Sequence, residues 1–294
     1  MMASPWADYV PPPRPDEDAD DDATPFEVGP GLLPYDLGRR GFWALEPGQP
    51  VQMELAVDDI AGALIVREAP LGMLGTFELQ VAIALAAVWG DDERERVFPF
   101  RIADLVERLE LSWSGRTVAD LDRALGRLAS TLFAATWYDP ARELEHDDRF
   151  SLLDSYRLSG RRKGRRTLGE VEWSRWTFAR LEAQAFGEID LPTMRRLGSP
   201  LARRLYAYCE SRSGTASYVH DDGQPVETFV RRVDERFQTT LGSRAAQVRD
   251  FRLDLRRAGA DVAENDRRYR QLEVVSGRQR GAHVLRVERL RSFD

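Results

Sequence analysis

A single cysteine, Cys209, rules out an intrachain disulfide, cannot furnish a thiol set for zinc, and fits a reducing cytosol. Cys209 falls in step with Leu201, Leu205 and Tyr206, so it reads as a small core residue. The three histidines, His146, His220 and His283, are far apart and lack metal-ligand spacing. No glycine-rich loop ends in Lys-Ser or Lys-Thr, which removes a phosphate-cradling nucleotide site. Asp221 and Asp222 beside His220 would suit a nuclease, but they sit in a polar loop, and no tyrosine accompanies a histidine pair. No catalytic, metal or cofactor site is therefore expected, and no enzymatic activity. The longest apolar run, Val81 to Trp89, is far too short to cross a bilayer, and the N-terminus lacks a basic-then-apolar signal. A cytoplasmic protein with no membrane partner is expected.

Acid is in excess overall, with a formal charge of -7, but the excess is local. Residues 1–30 carry eight acids against Arg14, and residues 31–294 are balanced at 41 acids and 41 bases. Within the balanced part the bases cluster. Residues 159–180 hold seven bases and two acids, and residues 199–294 hold nineteen and fourteen. Such patches govern phosphate affinity more than net charge does. Residues 1–30, rich in Pro, Asp and Ala without sustained periodicity, are expected to be a disordered acidic tail.

Val51–Val57 alternates like a half-buried strand, Ile60–Ala69 is a second apolar run, and Thr76 can cap an apolar helix over Phe77–Trp89. The central feature begins at Phe100. A short helix (Ile102, Leu105, Val106, Leu109) and a turn through Leu111–Gly115 precede a longer helix with Val118, Leu121, Leu125, Leu128 and Leu132 on one face. Arg116, Thr117, Asp120, Arg123 and Arg127 remain on the other face. Strand-like runs at 132–138 and 150–158 follow, then a basic turn, Arg161, Arg162, Lys163, Arg165 and Arg166, bracketed by Gly160 and Gly164. Trp113, Trp137, Trp173 and Trp176 read as core or junction residues.

A strand at 170–173, a linking helix over 175–185 and a short strand at 187–191 come next. From Ser199 the order of elements recurs. A helix starts at Pro200, a second helix carries Val226, Phe229, Val230, Val233 and Phe237, and a turn at 239–243 precedes a longer helix with Ala245, Val248, Phe251, Leu255 and Ala258 inward. A hairpin over 269–290 turns at Arg278 and Arg280. The spacing thus predicts one architecture twice, over residues 77–173 and 201–290.

Short helix, turn, longer helix and basic hairpin are the parts of a winged helix-turn-helix, whose long helix enters the major groove while the hairpin follows the phosphates. Arg116, Thr117 and Arg123 would read the groove from the first unit, and Arg244, Gln247, Arg249 and Arg252 from the second, since Arg and Gln suit guanine and adenine edges. Arg161, Arg162, Lys163, Arg165 and Arg166 would hold phosphates, with Arg278 and Arg280 as a smaller wing. The alternative for each set is an ordinary solvated face.

Leu201–Tyr208 with its Arg203-Arg204-Leu205-Tyr206 core, followed by Phe229, Phe251, Leu253-Asp254-Leu255-Arg256 and the Tyr269 hairpin, resembles the plasmid replication initiator protein A family. The helix end Leu125–Thr131 is similar to that family's first domain. The resemblance covers roughly residues 70–290. It implies tandem winged-helix domains that bind repeated origin sequences in double-stranded DNA, recruit host replication proteins and self-associate. A winged-helix transcriptional repressor shares every contact feature and is the alternative. The expected fold is mainly α with small β-hairpins (α+β), as two tandem winged helix-turn-helix domains: the tail over 1–30, a first domain with arm and basic wing over 31–185, and a second over 186–294.

Overall fold

A computed structural model describes residues 32–34, 43, 45, 54–56, 62–91, 95–139, 144–160, 166–182, 186–211, 216–219, 225–243, 245–277 and 281–290. The acidic segment 1–30 lies outside them. So do Arg161, Arg162, Lys163, Arg165, Arg244, Arg278 and Arg280, together with His220, Asp221 and Asp222.

The first half is organised on Thr76–Asp91 (α1), whose residues from Leu79 to Trp89 are buried. A helix apolar on every side is stable only when neighbours cover it all round. The cap comes from Glu78 rather than Thr76. Thr76 is already the first helical residue, and the Glu78 Oε2 accepts from the Gly75 backbone N–H at 2.8 Å.

Strand Val97–Arg101 (β4) leads into Ile102–Arg108 (α2), and Glu110, at φ 46°, reverses the chain ahead of Gly115–Ser130 (α3). Helix α3 buries Leu121, Ala124, Leu125 and Leu128, and each buried leucine contributes about 1.5–3 kcal/mol. Leu132 does not extend that helical face. Thr131 is the C-cap in extended conformation, and Leu132–Asp139 (β5) begins there.

Leu144–Phe150 (β6), Leu153–Gly160 (β7) and Arg166–Trp173 (β8) follow. With Glu54–Ala56 (β2) and Gly62–Glu68 (β3) they form two antiparallel sheets, ordered β2-β3-β5-β6 and β4-β8-β7. In the second sheet Gly169 lies opposite Phe100, and a Cβ there would stand 2.1 Å from the Phe100 ring.

Arg175–Glu182 (α4) and Phe186–Glu188 (β9) cross to the second half. Leu32–Pro34 (β1) pairs antiparallel with β9, so the N-terminal arm spans the boundary expected at residue 185. Next comes a helix the sequence reading missed, Leu191–Arg196 (α5), capped by Asp190 and carrying Pro192 in its first turn. Pro192 starts a helix here instead of only ending a strand. Pro200–Glu210 (α6) is capped by Ser199, whose Oγ accepts from Ala202 N at 3.1 Å, and it buries Cys209.

The remaining elements are Ala216–Val219 (β10), Pro225–Arg232 (β11), Glu235–Thr240 (α7), Val248–Asn265 (α8), Tyr269–Ser276 (β12) and His283–Leu290 (β13). The helix expected over 226–237 is instead strand β11 followed by short α7. Strand β11 pairs with β13 along seven positions, and that pairing overrides a helical spacing built from residues that favour strands. The sheet order is β10-β11-β13-β12. The fold is therefore mixed α+β, with more strand than the mainly helical expectation. Helix α8 starts at Val248, four residues later than Arg244, so the two turns differ in length.

Both halves share an order of elements, strand, short helix, turn, long helix, hairpin, of which the leading strand is the part that periodicity did not show. In each, the leading strand pairs with the second strand of the hairpin, β4 with β8 and β11 with β13. Strands β5 and β6 are an insertion in the first half.

One continuous core runs through both halves. Phe150 stacks on Trp176 with centroids 4.0 Å apart, and Trp173 stacks on Phe98. Trp113 packs half-buried on this core. In the second half a charged network is buried beneath the hairpin. Glu210 accepts from Tyr269 Oη at 2.7 Å, Arg268 Nη2 at 3.1 Å and Arg289 Nη1 at 2.9 Å. Arg289 also donates to Glu227 at 2.7 Å. Burial works against the Arg289 charge, but Glu210, Tyr269 and Glu227 outweigh it and push its pKa up.

Candidate nucleic-acid interface

The first turn of α3 is built by its own residues. The Ser114 Oγ accepts from Thr117 N at 3.0 Å, and the Thr117 hydroxyl donates to the Ser112 carbonyl at 2.7 Å. Thr117 thus spends its hydroxyl on the turn. The Arg116 side chain is 91% exposed and Arg123 is exposed as well, with Asp120 between them, 3.9 Å from Arg116 and hydrogen-bonded to Arg123. No acid lies in this first turn, where the helix dipole favours one. The dipole and Arg116 together present positive potential outward.

Arg127 leaves the outward face expected for it. Its Nη1 meets the buried Glu78 at 2.6 Å, and its Nε donates to the Leu71 carbonyl at 2.9 Å. Arg127 therefore locks α3 to the start of α1.

Helix α8 buries Phe251, Leu255, Ala258, Gly259 and Val262. A Cβ on Gly259 would stand 2.7 Å from the Leu272 carbonyl oxygen, so the helix lies directly on β12 there. Gln247 is the N-cap and exposed, and its amide makes no capping bond. Arg249 and Arg256, both exposed, have no ion-pair partner among the described residues. Arg257 pairs with Asp254 at 3.5 Å. Steps of four and three put Arg249, Leu253 and Arg256 on one outward face, and Leu253 is 44% exposed.

The sequence reading missed Leu253 and Arg256 as site residues, although their spacing from Arg249 carried the signal. Arg252 turns off this face. It is half-buried and lines a cleft with Arg232, Arg236 and His283. His283 has its pKa pushed down, by burial first and then by Arg252 and Arg256.

Both basic turns join paired strands. Strands β7 and β8 run to Gly160 and Arg166, which face each other in register. Strands β12 and β13 pair as far as Ser276 and His283, beside a Gly277 N–H to Ala282 carbonyl bond of 2.9 Å and Gly281 at φ 77°. Among the described residues no group of three His, Cys, Asp or Glu side chains is placed to hold a metal. Nor is any described helix long and apolar enough to cross a membrane.

A family model described as replication initiator protein A matches residues 63–219. Two solved structures are similar in fold. The crystal structure of selenomethionine derivatives of domains 2 and 3 of RctB has a TM-score of 0.59 at 16% identity, covering 87% of this chain and 98% of that one. The crystal structure of RctB domains 2-3 has a TM-score of 0.56 at 15% identity, covering 87% and 97%. No curated protein sequence matches.

Proposed function

Because this chain belongs to the replication initiator protein A family, we propose that it initiates plasmid replication by binding repeated origin sequences in double-stranded DNA through two winged helix-turn-helix units. The units meet near residue 185. The observation that carries this reading is the repeated order of strand, short helix, turn, long helix and hairpin, with exposed arginines on the outward face of each long helix. In that architecture the N-terminal part of the long helix reaches the groove floor and the hairpin connection runs beside the phosphates.

Arg116 and Arg123 read from the first unit, and Gln247, Arg249 and Arg256 from the second. The uncompensated cations of α8 make the second unit the tighter reader, since Asp120 already offsets both arginines on α3. Leu253, flanked by arginines, suits the thymine methyl, the apolar group on the major-groove edge of an A·T pair. The Arg161–Arg166 connection holds phosphates. The protein acts by binding and not by catalysis, and host replication proteins and further copies of the chain assemble on the bound form.

The test is selection from randomised duplexes with wild type, Arg116→Ala and Arg249→Ala. Wild type is expected to select two half-sites roughly ten base pairs apart. Each variant should relax preference in a different half-site, at a cost of about 1–3 kcal/mol. Loss of preference at the same positions, or no selected sequence for wild type, refutes the reading.

A further inference from the structure

A cleft of about 400 Å³ opens where four segments of the second half converge: the β11–α7 corner, the first turn of α7, the start of α8 and the start of β13. Arg232, Arg236, Arg252 and His283 line it, with Val233 and Val248 as apolar walls. Two acids share the rim. Asp234 is committed to the fold, because its Oδ1 accepts from Phe237 N at 3.0 Å as the α7 N-cap and its Oδ2 lies 3.7 Å from Arg232. Glu235 is exposed at the mouth. Arg232 is offset by Asp234 and Arg236 has contacts of its own, so the positive charge left over on the cleft wall is that of Arg252.

Arg252 has no ion-pair partner among the described residues, and its Nε and the His283 Nδ1 are buried without a hydrogen-bond partner. Buried donors left so are rare in folded proteins, and an acceptor entering the cleft would supply the partner that the Arg252 Nε lacks. A guanidinium fork matches a phosphate in shape and charge.

We propose that this cleft binds a single phosphate group, held by Arg232, Arg236 and Arg252 with His283 at its edge. The identification of the phosphate as one of the DNA backbone rests on the function proposed above. A duplex read by α8 passes its backbone between the start of that helix and the hairpin, which is where the cleft opens. A free phosphate would present the same chemistry, and the experiment separates the two sources.

The full chain has three histidines, so their imidazole proton resonances can be followed by NMR, with His283→Gln assigning the one in the cleft. The titration is run alone, with inorganic phosphate, with the selected duplex, and with that duplex carrying one neutral methylphosphonate at successive positions. A bound phosphate adds a negative charge against the cations facing His283 (Arg232, Arg236, Arg252 and Arg256) and the two rim acids. It should move the His283 midpoint upward.

The duplex is expected to produce that shift, and one methylphosphonate position to weaken binding about tenfold. That penalty should vanish in Arg252→Met and in Arg236→Gln, the second variant altering an exposed side chain outside the core. A shift with inorganic phosphate and none with the duplex keeps the phosphate site and assigns it to a free ligand. No shift in either arm, with the methylphosphonate profile unchanged in both variants, overturns the proposal. If Arg249→Ala loses its half-site while the cleft variants bind as wild type does, the cleft alone is refuted. If no form binds duplex, the reading of the function fails and the inorganic phosphate arm decides the cleft by itself.

Discussion

Replacing Glu210 by alanine is expected to cost the fold about 3–5 kcal/mol, the sum of one orphaned hydroxyl and two lost charge-assisted bonds. The structure shows how that figure is composed. The Glu210 carboxylate closes α6 and takes three donors, from Tyr269, Arg268 and Arg289. Neither arginine is orphaned by its loss, since Arg268 keeps Asp266 at 2.6 Å and Arg289 keeps Glu227 at 2.7 Å. Tyr269 has no second acceptor for its hydroxyl among the described residues, and a buried hydroxyl left unbonded costs about 1–3 kcal/mol. Each charge-assisted bond adds about 1.5–3 kcal/mol, reduced here by the carboxylate each arginine retains. In a chain of this size the loss should lower the melting temperature by about 6–20 °C. Thermal unfolding followed by circular dichroism, with Tyr269→Phe alongside, measures it. Tyr269→Phe loses one bond and should cost about 1–2 kcal/mol. If Glu210→Ala melts no lower than Tyr269→Phe, the arginine bonds add nothing and the reasoning is refuted.

Gly259→Ala sets helix propensity, which favours Ala by about 1 kcal/mol, against a Cβ 2.7 Å from a main-chain oxygen that cannot rotate away. Overpacking of this kind costs about 1–3 kcal/mol, so the variant should unfold at lower urea, and a higher midpoint would show that α8 and β12 can separate freely. Leu253→Ala should abolish the protein's discrimination between thymine and uracil at one position of the selected site, read by competition binding. Wild type showing no such discrimination would remove Leu253 from the groove. Asp266 has its pKa held below the ordinary range: burial works to raise it, but hydrogen bonds from Arg268 win. The unfolded chain therefore takes up the proton first, at about pH 4, so the stability this group contributes is present above that pH and lost as pH falls through the lower folded value. Asp266→Asn should flatten the acid limb of melting temperature against pH, and an unchanged limb would contradict the pairing.

What the sequence could and could not disclose follows from where each signal resides. Helix α3 was legible because Leu121, Leu125 and Leu128 repeat over two turns behind the Ser114 cap, and Ser199-Pro200 marks α6 just as locally. The stretch from Val226 to Val233 was not, because its valines and Phe229 satisfy helical spacing while the partner that makes them a strand, β13, lies about sixty residues on. Strand β6 reads Leu-Glu-His-Asp-Asp-Arg-Phe, polar enough to pass for a loop, and only its pairing with β5 reveals it. On the site, Arg116, Arg123 and Arg249 stand outward as their helical positions required. Arg127 does not, because it meets Glu78, a residue no local pattern connects to it. The cleft assembles Arg232, Arg236, Arg252 and His283 from three-dimensional neighbours, and no periodicity gathers them.

The pairing of β1 with β9 sets a timetable for synthesis. Residues 32–34 leave the ribosome about 150 residues ahead of the strand they bond. At about 5–20 residues per second, β1 waits roughly 8–30 s for its partner. During that interval α1, its strongly apolar neighbour, is already made and must be covered by other elements or by a chaperone. The β1 strand therefore docks last in the first unit, after the sheets and helices that cover the rest of α1 are already made.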